Sequence, residues 1–363
     1  MNGLSWLYPI GASVKIKNEM MSAIVSICLP TLNSIRFLAE RIESIRNQSF
    51  TDWELIAVDS HSDDGTLTVL ERFAAEDGRV RVIQAPRDGI YPNFNRGIQQ
   101  ATGQFIYVAT SDDTMAHNCL EKMVEALVEN PDCDLAHCLM RVIDEKGGLG
   151  PDWWSGSSLF AKSSGDFVNS RHKRLAPLDG ILSFLGDSIY SSVTQLLIRR
   201  CLFERIGYYS SAWGSLGDFH WNLRAGLFAT TVHVPDTWGG WRVHPSQATA
   251  SAQIGSRAHQ AKIDSMIDDV MLHLDCYGDD QNCGEIIRGL SNRCEKLRRH
   301  LRGHAHCTTP SARRIFLIQQ VLLGSRHARD HIASMLPRRT RWPEAIPREV
   351  RSWLGDNALV PLC

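Results

Sequence analysis

Residues 26–66 read SICLPTLNSIRFLAERIESIRNQSFTDWELIAVDSHSDDGT, and this stretch sets the pattern for the first half of the chain. The runs Ala23–Pro30 and Trp53–Asp59 are largely apolar and rich in β-branched residues, as buried strands are. Between them, apolar residues recur at helical spacing, at Ile35, Leu38, Ile42 and Ile45. The stretch therefore predicts a strand, a helix and a second strand.

The same alternation continues to about residue 142. We predict further helices at Thr66–Glu76, Asn93–Ala101 and Cys119–Asn130, and further strands at Val80–Pro86, Phe105–Thr110 and Asp134–Val142. Buried strands that alternate with amphipathic helices are typical of a parallel sheet covered on both faces. Because such sheets bind ligands outside the carboxyl ends of their strands, we expect the functional residues there.

Acidic residues stand at two of these strand ends. The run FIYVATSDDT, residues 105–114, is apolar and then reaches Asp112 and Asp113, and Asp59 ends an earlier run. Carboxylates are rarely buried unless they are paired or bound to a metal. A solvated turn is the alternative explanation for each acid taken alone. Taken together, the strand ends predict one ligand site at the edge of the sheet.

The composition is that of an ordinary soluble globular protein of one or two domains, with 363 residues of which 43% are hydrophobic and 22% charged. The ten cysteines show no CxxC pair and no zinc spacing, which predicts reduced thiols in a cytoplasmic protein. No segment reaches the roughly 18 apolar residues of a membrane-spanning helix. Residues 1–22 lack a signal-peptide pattern, and we expect them to be a disordered extension.

The charge is unevenly distributed along the chain. From Glu285 to the end there are 15 Lys and Arg against 6 Asp and Glu, and the rest of the chain carries a balance of −10. The basic region is either a solvated helical face or a surface for anionic lipid or a phosphorylated acceptor. The second reading would hold the protein peripherally at the inner face of the cell membrane. We expect no nucleic-acid partner, and we expect a loop over Gly147–Pro177, where the periodicity is lost.

Four segments in order resemble the family 2 glycosyltransferases. Residues 26–66 contain a strand ending in Pro-Thr-x-Asn, and a second strand ending in Asp before a polar turn. DGIYPNFNRGIQQATGQFIYVATSDD, residues 88–113, resembles the family's middle block, which ends in a shortened Asp-x-Asp motif. LGDFHWNLRAG, residues 216–226, resembles the block that holds the catalytic base. WRVHPSQATA, residues 241–250, resembles the Arg-x-His-Pro segment of members that build surface polysaccharides.

The resemblance covers about two-thirds of the chain and implies the GT-A fold. This fold has a mostly parallel central sheet with helices on both faces, and we assign it to residues 23–254. The remaining residues, 255–363, are expected to form a helical, basic C-terminal region.

The resemblance also implies a metal site for a nucleoside diphosphate sugar. Mn²⁺ or Mg²⁺ would neutralise the diphosphate, with Asp113 as the first choice of ligand. Asp112 would contact the ribose or a metal-bound water, and His244 would be a further metal contact. The alternative for His244 is a structural histidine with its hydrogen bonds satisfied.

The nucleoside pocket is expected to contain Pro30, Thr31, Asn33 and Asp59. The resemblance implies that Asp59 accepts the N3–H of uracil or thymine, whereas the alternative is a turn residue. Asn33 could instead cap the first helix. Ser60 stands where the family often has a second Asp, which leaves the choice of base less certain. Arg96 is a candidate for a phosphate contact.

Asp218 is the expected catalytic base. It would take the proton of an acceptor hydroxyl, and a single base opposite the leaving diphosphate predicts inversion at the anomeric carbon. The alternative role is an N-cap for a helix at Phe219–Leu227, and both roles could hold.

The leading hypothesis is an inverting, metal-dependent enzyme that uses a UDP or dTDP sugar to extend a lipid-linked or oligosaccharide acceptor of a bacterial surface polysaccharide. A catalytically inactive nucleotide-sugar-binding scaffold is the alternative. Retention of the candidate acids and histidine argues against that scaffold. A Rossmann dehydrogenase is disfavoured because no GxGxxG follows the first strand, and a P-loop enzyme because GxxxxGK[ST] is absent.

Overall fold

The predicted alternation of strands and helices forms one sheet with helices packed on both faces. The structure is a computed structural model, and it describes residues 24–152, 168–184, 189–245, 247, 257–272 and 359–362. The expected N-terminal extension and most of the basic C-terminal region lie outside these residues. No helix among the described residues is long and apolar enough to cross a membrane.

The first half of the chain follows the predicted order. The strands are β1 (Val25–Thr31), β2 (Trp53–Asp59), β3 (Val80–Gln84), β4 (Phe105–Val108), β5 (Thr114–Met115), β6 (Leu135–Ile143) and β7 (Leu149–Asp152). The helices are α1 (Ile35–Arg46), α2 (Thr66–Glu76), α3 (Ile90–Gln100) and α4 (Cys119–Glu129). Helix α3 begins three residues earlier than predicted, because a proline is tolerated in the first helical turn, where Pro92 lies.

The second half adds shorter elements. The strands are β8 (His172–Arg174), β9 (Leu196–Arg199), β10 (Thr231–Arg242) and β11 (Leu359–Pro361). The helices are α5 (Leu178–Phe184), α6 (Arg200–Ile206), α7 (Gly217–Phe228) and α8 (Arg257–Leu272). Short 3₁₀ turns lie at Val193–Gln195 and Ser211–Leu216.

The sheet is mixed rather than mostly parallel. Its order is β11-β8-β10-β6-β9-β4-β1-β2-β3, with β5 beside β10 and β7 beside β6. Strands β4, β1, β2 and β3 are parallel, as are β6 and β10, but β9 is antiparallel to both β4 and β6. An apolar run has the same pattern in either direction, so the sequence could not reveal that β9 enters from the opposite end.

Two apolar clusters cover the two faces of the sheet, as predicted. Alternate residues of β1 divide between them, with Ile27 and Leu29 facing the cluster that includes α1, α2 and α4, and Cys28 facing the other. The second cluster includes residues of α3, α6, α7 and α8, among them the fully buried Trp221. This packing fixes the first turns of α3 and α7 on the same face of the sheet.

Two regional predictions need correction. The expected loop Gly147–Pro177 contains strands β7 and β8, and its residues 153–167 lie outside the described part. The expected helical region 255–363 begins with α8, but its end supplies β11, which pairs antiparallel with β8 at the edge of the sheet. A three-residue strand is too short to show a period of two in the sequence.

Candidate functional site

The carboxyl ends of β1, β2 and β4 lie side by side at one edge of the sheet. The parallel register places Thr31 opposite Asp59, and β4 pairs with β1 on its other side. The hydroxyl groups of Ser34, after β1, and Ser111, after β4, are 2.8 Å apart. The strand-end residues predicted from the sequence are therefore brought to one edge.

Asp59 is fully buried and organises the turn that follows β2. Its Oδ1 accepts hydrogen bonds from the hydroxyls of Thr31 at 2.9 Å and Ser62 at 2.6 Å, and its Oδ2 accepts one from the backbone N–H of Ser62 at 2.9 Å. This geometry gives Asp59 the turn role that the sequence offered as an alternative. It also leaves Oδ2 with a single donor among the described residues.

Asn33 joins the loop after β1 to the loop after β2. It adopts a left-handed backbone conformation with φ 49°, which Asn tolerates better than most residues. Its Oδ1 accepts the backbone N–H of Asp63 at 3.0 Å, and its own N–H donates to the Ser62 hydroxyl at 2.9 Å. Ser34 occupies the N-cap position of α1 without a side-chain cap, so Asn33 does not cap this helix. Pro30 is buried within β1, in register with Val58.

Arg96 of α3 is paired with Asp88, which lies just before that helix. Its guanidinium donates to both carboxylate oxygens of Asp88 at 2.8 and 2.6 Å, and to Oδ1 of Asn93 at 2.7 Å. The hydrogen bonds that Arg96 donates to Asp88 lower the pKa of that carboxyl. Asn93 in turn donates to the Ser60 hydroxyl at 2.6 Å, which links α3 to the end of β2. In this structure Arg96 is a partner of Asp88, and a phosphate contact stays a prediction.

The neighbours Asp112 and Asp113 have different environments. The Asp113 residue is only 3% exposed, and its carboxylate accepts hydrogen bonds from the backbone N–H of Arg242 at 2.8 Å and from the hydroxyl of Thr110. Burial, together with the nearby charge of Asp112, raises the pKa of Asp113. The Asp112 side chain is 30% exposed, and its Oδ2 lies 3.0 Å from Nε2 of His244. Asp112 therefore presents a carboxylate at the surface of the edge, and Asp113 supports the turn from beneath.

Arg242 supports this pair, and the sequence analysis did not single it out. Its buried guanidinium donates to the backbone carbonyls of Asp112 at 2.7 Å and Asp144 at 2.9 Å. Its Nη2 also forms an ion pair with Oε2 of Glu40 at 2.6 Å. The guanidinium also stacks over the ring of Phe37, which contacts the His244 ring at a centroid distance of 4.7 Å. The signal in the sequence was the Arg-x-His spacing, since alternate residues of an extended segment share a face.

Asp112 and His244 fit a divalent metal that is shared with a substrate. Among the described residues, no group of three or more His, Cys, Asp or Glu could hold a metal ion alone. Mg²⁺ commonly binds through one or two carboxylates and completes its shell with substrate phosphates and water. Because the Asp113 residue is only 3% exposed whereas the Asp112 side chain is 30% exposed, the geometry favours Asp112 over Asp113, the first choice from the sequence, as the metal contact.

Asp218 lies in the first turn of α7. The helix begins at Gly217, two residues earlier than predicted, and Leu216 occupies the N-cap position, so Asp218 is not the N-cap. Its Oδ1 accepts the backbone N–H of Phe219 at 2.8 Å and the hydroxyl of Tyr91 at 3.1 Å. Burial raises the pKa of Asp218. A carboxyl with a raised pKa can accept a proton more readily at neutral pH.

The comparison with known families identifies the segment that carries the strand-end acids. Residues 26–174 match the family described as Glycosyl transferase family 2. This segment is a family 2 glycosyltransferase domain. It contains Asp59, Asp112 and Asp113, and Asp218 and His244 lie beyond the matched residues.

Two bacterial proteins that match this chain are named as a glucosyltransferase and a glycosyltransferase. GalNAc(5)-diNAcBac-PP-undecaprenol beta-1,3-glucosyltransferase of Campylobacter jejuni is 30% identical over 165 residues, which span 42% of this chain and 52% of that protein. A PGL/p-HBAD biosynthesis glycosyltransferase of Mycobacterium bovis is 28% identical over 209 residues, spanning 56% of this chain and 70% of that protein. The chain thus matches about half the length of the Campylobacter relative.

The fold of this chain, including the glycosyltransferase domain, is similar to that of a solved structure. S. aureus TarS 1-349, crystallised in complex with UDP-GlcNAc, superposes with a TM-score of 0.55 over 79% of this chain and 73% of TarS 1-349, at 17% identity. The superposition confirms the expected GT-A fold, with a mixed central sheet.

Proposed function

We propose that the protein transfers a sugar from a uridine or thymidine diphosphate donor to a hydroxyl of a lipid-linked or oligosaccharide acceptor, with inversion at the anomeric carbon. The observation that carries this proposal is the pairing of the partly exposed Asp112 carboxylate with His244 at 3.0 Å, beyond the carboxyl end of β4 in a segment that matches family 2. The name of the Campylobacter relative includes an undecaprenyl diphosphate, which supports a lipid-linked acceptor in surface polysaccharide synthesis.

Asp112 and His244 would hold Mn²⁺ or Mg²⁺ at the donor diphosphate. When bound, such a metal neutralises the negative charge that develops on the leaving group. Arg242 fixes the positions of Asp112 and His244. Its guanidinium donates to the backbone carbonyl of Asp112, and His244 follows it by two residues in the chain. Asp113 secures the same turn through the backbone N–H of Arg242.

Asp218 would be the general base. The acceptor oxygen attacks the anomeric carbon and the bond from that carbon to the diphosphate breaks, with its electron pair leaving on the diphosphate. Asp218 takes the proton of the hydroxyl, so that charge and protons balance within the site. Attack from the side opposite the leaving group gives the inverted product.

The nucleoside would lie over the loops after β1 and β2. Asp59 Oδ2 accepts one hydrogen bond among the described residues, and a carboxylate oxygen has room for two. It would accept the N3–H of uracil or thymine once the loops after β1 and β2 open, because the carboxylate is fully buried in this structure. Thr31 and Asn33 would hold the loops in place, since both are hydrogen-bonded to the β2 side of this edge.

The basic region from Glu285 to the end of the sequence would bring the protein to the inner face of the cell membrane, where a lipid-linked acceptor lies. The balance of 15 Lys and Arg against 6 Asp and Glu in this region, counted from Glu285, supports this placement.

A donor panel tests the proposal. Purified protein would be incubated with UDP-, dTDP- and GDP-sugars and a lipid diphosphate acceptor, with Mn²⁺, Mg²⁺ or excess chelator. We expect release of uridine or thymidine diphosphate only with metal, and an inverted anomeric configuration by NMR. Full turnover in chelator would contradict the metal role. Donor binding without release from any sugar would support the inactive scaffold instead.

A further inference from the structure

Tyr91 and Asp218 come from helices on the same face of the sheet and meet at their first turns. They are 127 residues apart in the sequence, and the Tyr91 hydroxyl lies 3.1 Å from Oδ1 of Asp218. Tyr91 follows the N-cap glycine of α3 by two residues, and Asp218 is the second residue of α7. The contact therefore joins the segment that follows β3 to the helix that holds the proposed base.

The Tyr91 ring is fixed in this position by packing. It is buried, stacks on Tyr209 with ring centroids 6.1 Å apart, and meets Phe94 edge-on at 5.9 Å. A Cβ at Gly217 would lie 2.6 Å from Cε2 of the Tyr91 ring, and it would also clash with the carbonyl oxygen of Ser210. Glycine at position 217 is thus what allows the ring to lie against the start of α7.

The two oxygens of Asp218 are not equivalent. Oδ1 accepts two hydrogen bonds, one from the Tyr91 hydroxyl and one from the backbone N–H of Phe219. Within the described part of the chain, no hydrogen bond to Oδ2 is present. A carboxylate that is held at one oxygen offers the other oxygen, in a fixed direction, to a proton donor.

We propose that Tyr91 is a positioning residue that fixes Asp218 so that Oδ2 receives the proton of the acceptor hydroxyl. This inference rests on the proposed function of Asp218 as the general base. It assigns Tyr91 no direct contact with the substrate. Its role is to select the oxygen and to hold the carboxylate against rotation.

Among the described residues, the phenols of Tyr91 and Tyr209 interact with Asp218. Tyr91 approaches it from α3, and the ring of Tyr209 lies behind Tyr91, in the segment before the second 3₁₀ turn. On the other side of α7, His220 is paired with Asp269 of α8 at 3.1 Å. Burial raises the pKa of Asp218, and the hydrogen bonds from Phe219 and Tyr91 oppose that rise.

The matched pair Tyr91→Phe and Tyr209→Phe tests the proposal. Each change removes one hydroxyl from one of two stacked rings, but within the described residues the buried Tyr209 hydroxyl has no hydrogen-bond partner. For Tyr91→Phe we expect kcat to fall about tenfold, the factor that corresponds to 1.36 kcal/mol, with an unchanged KM for the donor. The acidic limb of the kcat profile should move to higher pH, since Asp218 loses a donor to its ionised form. Tyr209→Phe should leave kcat and the acidic limb of its pH profile unchanged.

A titration of the ¹³C-labelled Asp218 carboxyl detects the contact without turnover. We expect the Asp218 pKa to rise in Tyr91→Phe and to stay constant in Tyr209→Phe. An unchanged Asp218 pKa in Tyr91→Phe would overturn the inference, as would a wild-type kcat and acidic limb in that variant. If the pKa rises as expected while the wild-type protein transfers no sugar, the proposed function fails and the contact stands.

Discussion

Oδ2 of Asp112 and Nε2 of His244 lie 3.0 Å apart, although 132 residues separate them in the sequence. One residue follows β4, and the other follows the last strand residue of β10 by two positions. The buried Arg242 guanidinium holds the backbone of Asp112 and stacks on the same phenylalanine as His244. The pair is therefore built by the fold, and under the proposed function its partly exposed carboxylate and its imidazole would share a metal with a diphosphate.

The first prediction separates the two adjacent aspartates. Asp112→Ala should abolish metal-dependent binding of the nucleoside diphosphate, and it should lower the free energy of unfolding less than Asp113→Ala does, because the Asp112 side chain is 30% exposed. Asp113→Ala should lower the free energy of unfolding by about 1–3 kcal/mol, because it leaves the buried N–H of Arg242 without its acceptor. Denaturant unfolding and metal-dependent thermal shifts measure both effects. If Asp112→Ala keeps metal-dependent binding and a stably folded Asp113→Ala loses it, Asp113 is the metal contact instead.

The second prediction concerns the nucleobase. Uridine or thymidine diphosphate should protect the wild-type protein against heat more than guanosine or adenosine diphosphate does, through the N3–H and Asp59. A ligand at 100 times its dissociation constant stabilises by about 2.7 kcal/mol, which a thermal shift detects readily. The control is the same series in Asp112→Ala with excess chelator, which removes the diphosphate contribution. Equal protection by guanosine diphosphate would count against a pyrimidine site.

The third prediction concerns pH. Asp218 must be ionised to accept a proton, and burial raises its pKa. The value of kcat should therefore be constant at neutral pH and fall on acidification, with an apparent pKa above the ordinary Asp value of about 3.9. Measurement at saturating donor and metal isolates the group in the bound complex. A kcat that stays constant down to pH 4 would show that no carboxyl with a raised pKa limits the reaction.

The fourth prediction tests the glycine at the start of α7. Gly217→Ala should destabilise the protein by about 1–3 kcal/mol, since its Cβ would overlap the Tyr91 ring and a backbone oxygen. Gly78→Ala is the matched control, because nothing lies within 4 Å of its added Cβ. Urea unfolding of the two variants compares them directly. Equal stabilities would mean that the start of α7 can shift to admit the methyl group.

The sequence was sufficient to predict the strand-end acids and the fold that gathers them. Apolar strands alternate with amphipathic helices up to β6, and the parallel pairing of β1 with β2 follows from that pattern. Asp59 and Asp112 were expected at the same edge and lie there. The antiparallel β9 and the terminal β11 were not expected, because strand direction depends on connections and short strands have no visible period.

The division of roles within the site could not be read from the sequence. Asp112 and Asp113 are adjacent and chemically identical, and only the turn after β4 decides which one is exposed. That turn is fixed by Arg242, about 130 residues further along the chain. Tyr91 was passed over for the same reason, since its contact with Asp218 depends on the packing of α3 against α7.

The most direct test of the account is the turnover of Asp218→Asn. Asparagine keeps an Oδ1 acceptor for the N–H of Phe219 and the hydroxyl of Tyr91. The free energy of unfolding should therefore match the wild type, and so should the donor affinity measured by calorimetric titration. It cannot act as a base at neutral pH, so turnover should fall by about 10²–10⁴-fold. A variant that binds the donor and turns over like the wild type would contradict the assignment of Asp218 as the base.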